Sequence, residues 1–594
     1  MAEQAKKNLI SEESDKLSRY LKMFNNSWKY AKQNYHARWK NNWELYHNRR
    51  VKRSHDGVVE TFVPLVNSSV NTIVASLFIS NPAVNYIPNH PDQDADTKVL
   101  NEIYEDFARR DNWVQKNKVN GRQGIITGNL CAFYEWVSDK TGGYVHKINV
   151  PVRDMIIDPN SHGLEDCRYV GRRFFASLKS LEKETIYDVK EKKYVSRYKN
   201  LKKISRGGKS ADGDFESDKK QKDQSLGSVA PSDSDEVELV EIWTHKEVVV
   251  IANRQTIIED RENPYYTLEK SAFEQRKLDH EFERALGNDA GEFNEQFDEE
   301  SAGLLPFAHG RMYEDISLPY GDSDVDIIAD QQELLNDLTE MSVEAALYAL
   351  YPERTIDPAY TTLIDDLEPG PGKVFPVPKG AMEWNSPAPF PTGMLNERAN
   401  IKDEIREAIS VSQISKGVAA TDNITATEIK ATLGRGDTRI QEKAQTLAND
   451  FFVQEARIVL RLLQLYATEK IWVRTIQDAN VDFHEVDPSR FLGEYTPMVT
   501  LDIQKRYEEN EKKEANLQAY QILIQDPTNN LTAVKKHLLP KIMPSLSAEQ
   551  IEEIITLPQA NEAGLNTMPP DELASLSTEP APLQSEPQIQ GVQL

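Results

Sequence analysis

Four groups of side chains come near a spacing that could do chemistry. RGGKS at 206–210 has the glycines and lysine of a phosphate-cradling loop. The first glycine of GxxxxGK[ST] would fall at Lys203, and the segment lies in a polar stretch rather than between a strand and a helix, so nucleotide hydrolysis is set aside. Asp322, Asp324, Asp326 and Glu333 carry part of a calcium loop, but Ile327 stands where the turn glycine is required, and a helix cap accounts for them better. His90 with Asp92, Asp94 and Asp96 could approach a metal, yet no second histidine follows at ligand spacing; a solvated acidic loop is expected. Arg435-Gly436-Asp437 matches an adhesion tripeptide but falls inside a predicted helix, where it reads as a kink. GxSxG, HExxH and CxxC are absent. No enzyme, metal or cofactor is therefore expected.

The strongest pattern is an element. LPYGDSDVDIIADQQELLNDLTEM opens a helix over 323–350, with Asp322 or Ser323 as cap and Asp324 and Asp326 at its positive end. Ile327, Leu334, Met341 and Tyr348 recur every seven residues, with Leu338 and Ala345 between them, forming a narrow apolar stripe suited to packing against like helices. Ile327, Leu334, Leu338 and Met341 are the expected subunit contacts. A Pro/Gly-rich stretch of short strands and turns follows (351–391), and a second helix from about Met394 to Ser410. Then come the polar interval SQISKGVAATDN and a capping box, Thr425 to Glu428, which starts a helix reaching about Thr468 with a kink at Gly434 and Gly436.

Around this lie several lobes, since 594 residues exceed one core. Residues 1 to about 50 look helical, their cations interleaved with Trp28, Trp39, Trp43 and Tyr46. A short apolar helix is expected within 61–82, strands over 124–176 and 236–260, and exposed or disordered insertions at 205–235 and 278–303. Ser547 and Gln550 form another capping box among shorter helices, and 561–594, with five acids and no Lys or Arg, reads as a disordered tail. Net charge is −25 and no strongly basic block stands out, so tight sequence-independent DNA binding by a free subunit is not expected. Cys131 and Cys167 fit a reducing compartment, and no apolar run reaches membrane length.

The order of elements, two rods around a Pro/Gly knot, then a polar loop and a kinked helix, resembles the portal proteins of tailed bacteriophages. LPYGDSDVDIIADQQELLNDLTEM is similar to their first stem helix, NITATEIKATL to the start of their long kinked helix, and FVPLVNSSVNTIVASLFISNP and VPVRDMIIDPNS to early wing segments of short-tailed-phage portals. The resemblance, over about residues 35–525, implies an α+β fold closed into a ring, usually of twelve copies. It implies an N-terminal segment 1–34, a wing 35–322, stem helices 323–350 and 392–412, a clip 351–391, a channel loop 413–424 with Ser415, Lys416, Gly417 and Thr421, a kinked wing helix and return segment 425–494, and a crown 495–560. The implied role is a non-enzymatic channel at one capsid vertex through which double-stranded DNA is packaged and ejected. Implied partners are the major capsid protein or scaffold, the terminase large subunit, an ATPase, and the head-to-tail adaptor; assembly would occur in the host bacterial cytoplasm. The alternative is another virion component, such as a head-tail adaptor or internal head protein.

Overall fold

The structure, a computed structural model, describes residues 2–49, 61–78, 81–89, 94–138, 142–188, 193–204, 236–285, 303–350, 354–358, 393–409, 439–467, 470–477, 480–487 and 495–501, with isolated positions between and beyond them. The chain divides into two compact units, Met1–Gln504 and Lys505–Leu594. In the second, positions 516, 519, 520, 523 and 538 are helical.

The first unit opens with a helix in two phases. α1 (Ala2–Ala31) passes through a π turn (Lys32–His36) into α2 (Ala37–Tyr46). Tyr20 and Phe24, one turn apart, are buried with Ile156, Tyr169, Val240 and Ile242. The extra residue of the π turn rotates the following helix by about 100°, so Tyr35, Trp39 and Leu45 enter the main core instead. α3 (Leu65–Leu77) buries its apolar positions in the same core, and its Asn67 and Asn71 are satisfied by the main-chain oxygen and hydroxyl of Tyr46.

Next come β1 (Ala83–Pro88), α4 (Asp94–Arg110), α5 (Trp113–Thr127), β2 (Asn129–Val137) and β3 (Tyr144–Asn149). Residues 124–127, expected to begin a strand, form the last turn of α5. A short apolar run such as GIIT suits a buried helix as well as a strand. Gly128, at φ +80°, ends the helix where a Cβ would come within 2.3 Å of the Gly321 carbonyl oxygen.

β4 (Met155–Ile157) and β5 (Tyr169–Ser177) precede a short helix, α6 (Leu178–Leu181), and a hairpin, β6 (Thr185–Asp188) with β7 (Lys193–Ser196). β8 (Glu236–Thr244), β9 (Glu247–Ala252) and β10 (Thr256–Glu262) follow as expected, and complete an antiparallel sheet in the order β10-β9-β8-β5-β4, which α1 covers. α7 (Pro264–Ala285) runs into the expected exposed insertion: 278–285 is helical, with Leu278 and Phe282 exposed one turn apart, and the charges of α7 alternate in sign along one face through Lys270, Glu274, Lys277, Glu281 and Arg284. β11 (Phe307–Arg311) joins β2 and β3 in a three-stranded antiparallel sheet, with Phe307 opposite Phe133 and Ile148 beyond it.

α8 (Asp324–Leu350) is the long helix read from the sequence. After it, β12 (Arg354–Ile356) pairs with β13 (Met382–Trp384), and α9 (Gly393–Ala408) packs along α8, placing Ile401 and Ile405 in the core that holds Ile328 and Leu335. Residues 439–447 are helical, pass a π turn (Ala448–Phe452) and continue as α10 (Val453–Tyr466). β14 (Ile471–Gln477) and β15 (Asn480–Val486) form a hairpin. β16 (Tyr495–Thr500) pairs antiparallel with β1, so the sequence-expected crown helices do not begin at 495. Its side chains alternate between buried and exposed, and Pro497 is tolerated on a strand with a single partner. The insertion 205–235, the capping box at 425–428, Gly434, Gly436 and the tail 561–594 lie outside the described residues.

Candidate assembly interface

The start of α8 is fixed by its first residues. Ser323 is the N-cap: its hydroxyl accepts from the Asp326 N–H at 3.0 Å, while the Asp326 carboxylate accepts from the Ser323 N–H at 2.9 Å. Asn42 of α2 donates to Asp326 at 2.8 Å, and Arg38 pairs with Asp322 at 2.9 Å. Asp324 is buried, accepting from Lys443 at 2.5 Å and from the Tyr313 hydroxyl at 2.8 Å. The three aspartates that suggested a calcium loop thus turn to protein partners: Arg38 bridges Asp322 and, at 3.4 Å, Asp326, while Asp324 faces Lys443 and Tyr313.

Two faces of α8 are satisfied within the chain. Val325, Ile328 and Leu335 are buried in the core. On a second face, Gln332, Asn336 and Glu340, four residues apart, act on an extended segment as a neighbouring strand would. Gln332 donates to the Val63 carbonyl at 2.9 Å, Asn336 accepts from the Val63 N–H at 3.1 Å, and Glu340 accepts from the Thr61 N–H at 3.2 Å. Sequence reading missed this ladder; three polar residues at i, i+4, i+8 inside an apolar helix were the available signal.

The third face carries the predicted stripe. Ile327, Leu334, Met341 and Tyr348 are 45%, 50%, 53% and 62% exposed, so within one chain the stripe is left uncovered. Leu338 differs: it is partly buried against the core, one position round the helix from the others. Such an aligned set of half-exposed apolar side chains differs from apolar residues scattered singly over a surface.

Behind α8, the π turn at Ala448–Phe452 brings a second group together. Gln454 donates to the His309 carbonyl at 3.2 Å and accepts from its N–H at 3.1 Å, and Asp450 accepts from the Arg311 N–H at 3.2 Å, closing the open edge of β11. Burial raises the Asp450 carboxyl to about 6, and burial lowers the His309 imidazole to about 3. One step on, Glu455 pairs with Lys147 beyond the reach of solvent, and the hydroxyls of Tyr104 and Tyr134 donate to it at 2.6 and 2.5 Å. Nothing in the linear spacing of these residues announced that network. Ser415, Lys416, Gly417 and Thr421 lie outside the described residues, between α9 and the helical residues from Arg439.

A family model described as phage P22-like portal protein matches residues 8–593. The chain belongs to that family. No curated protein matches it. Membership makes it a structural protein of the phage head, a virion component of the capsid, and removes the adaptor and internal-head alternatives. The mixed helix and sheet content agrees with the α+β class of this portal family. No helix among the described residues is long and apolar enough to cross a membrane.

Proposed function

We propose that copies of this chain close into a ring, of twelve subunits, at one capsid vertex, with α8 and α9 as the stem around a channel for double-stranded DNA during packaging and ejection. The uncovered stripe on α8 carries this reading. A helix with two faces satisfied inside its own chain presents Ile327, Leu334 and Met341 to a neighbour, with Leu338 bracing them from behind. Burying the exposed half of each side chain contributes about 1 kcal/mol, and a repeated heterologous contact closes when its rotation permits. In this reading 351–391 is the clip that meets the terminase ATPase and later the head-to-tail adaptor, and the wing contacts capsid protein or scaffold. Ser415, Lys416, Gly417 and Thr421 belong to a loop reaching toward DNA, and assembly takes place in the host bacterial cytoplasm. Native mass measurement of purified protein tests it: closed rings near twelve copies are expected, and a strict monomer over a wide concentration range would sink the proposal.

A further inference from the structure

Between residues 16 and 53 the chain holds eleven Lys and Arg and a single acid, Glu44, although its net charge is −25. Aromatic and amide residues interrupt these cations, so they do not read as a basic run. Folding sorts them. The inner face of α1 and α2 is anchored by Tyr20, Phe24, Tyr35, Trp39 and Leu45, and Arg19 and Arg38 are held by Glu247 and Asp322 at 2.9 Å each. The exposed positions from 22 to 49 are then Lys, Arg, Asn, Gln, His and one Ala, with no carboxylate and no large apolar residue among them. Lys22, Asn26, Lys29 and Gln33 follow one another at steps of four, three and four along one face, and Lys40 is exposed on the adjoining face, since the π turn rotates the helix by about 100°. At 1.5 Å per residue this surface is roughly 40 Å long.

We infer that this outward face of α1 and α2 binds the phosphate backbone of duplex DNA, apart from the channel. A protein-binding patch of this length would carry exposed aromatic or aliphatic anchors; this one offers cations with amides between them, the donors that hold phosphate and sugar without reading sequence. The rigid mount favours contact with a long polyanion, and the chain's overall acidity keeps binding weak and confined to one side. The inference does not rest on ring closure, because the face is complete in a single subunit.

The test is fluorescence anisotropy of a labelled random-sequence duplex titrated with full-length protein between 50 and 200 mM salt. Each phosphate contact adds about 0.9 to the slope of log affinity against log salt. Replacing Lys22, Lys29 and Lys40 together by Gln should therefore reduce the slope by about 2.7 and the affinity at 50 mM salt by tenfold or more. Thermal unfolding should be unchanged, since all three side chains are exposed. An unchanged slope and affinity overturn the inference, as does preferential binding of poly-glutamate, which would assign the face to an acidic protein. A parent protein that stays monomeric yet keeps the slope would count against the ring and leave this face standing.

Discussion

Lys147 and Glu455 are both fully buried, and the environment is built to hold them. Lys147 also donates to Asn117 at 2.5 Å and lies 5.0 Å from the Phe451 ring and 5.5 Å from that of Trp113, so its cation faces π surfaces where it has no carboxylate. Removing one member strands the other, at a cost of about 3–5 kcal/mol, whereas removing both charges together can be nearly neutral. Lys147→Met should accordingly lower the denaturant midpoint sharply, and Lys147→Met with Glu455→Gln should recover much of the loss; chemical unfolding followed through tryptophan fluorescence compares them. Asp450 makes a different prediction. Its carboxyl is raised to about 6 by burial, with Glu314 adding to the rise and the Arg311 and Gln454 contacts opposing it. In an unfolded chain it would titrate near 3.9. Between these values the native state binds the extra proton, so this residue favours folding below about pH 4 and progressively opposes it as pH rises through 6. Asp450→Asn should flatten the fall in stability between pH 4 and 7 by on the order of 1–2 kcal/mol relative to the parent. Identical slopes for the two proteins would show that the carboxylate is not held in this way.

At the scale of the element, α8 carries the decisive surface. Leu334 and Met341 are half exposed in the single chain, so Leu334→Asp with Met341→Asp should leave the subunit's thermal unfolding nearly unchanged while abolishing the ring, read by native mass. Rings surviving both substitutions would move the contact elsewhere. This helix was also the most legible part of the sequence, because its signals are local: Ser323 and Asp326 cap it, and the seven-residue spacing of Ile327, Leu334 and Met341 marks one face. The strands from 236 to 260 and the buried helix ending before Pro82 were legible for the same reason. What escaped depends on partners far along the chain. β16 is a strand because β1, about 400 residues earlier, pairs with it. Asn336 is buried because Val63 needs an acceptor. Leu338 lies off the stripe because, four residues after Leu334, it sits about 40° round the helix from it and packs against the core. The two π turns have no propensity signature, yet each sets which face the next helix buries.

For the whole molecule, the question is how the proposed ring of acidic subunits could touch DNA without gripping it. The segment from 413 to 424 contains one cation, Lys416, beside Gly417 and small or polar residues. In a closed ring it would offer one phosphate-seeking charge per subunit, enough for loose contact and too few for firm binding. Its two flanks are already joined: Arg439 donates to the Glu407 carbonyl at 3.1 Å, and Ile405, Ile409 and Ile440 are buried in the same core. Lys443, one turn beyond Arg439, holds Asp324 at the head of α8. Because these anchors lie outside the interval, deleting 415–421 should leave subunit stability and ring formation unchanged. A simple connection would tolerate that loss with no further effect. A channel loop would not, and particles assembled with the shortened protein should package DNA slowly or lose it after packaging, measured as nuclease-protected genome per particle over time. Normal filling and full retention by that variant would reduce the interval to a tether between α9 and the helix at Arg439, and would leave the DNA contacts of this portal to other surfaces.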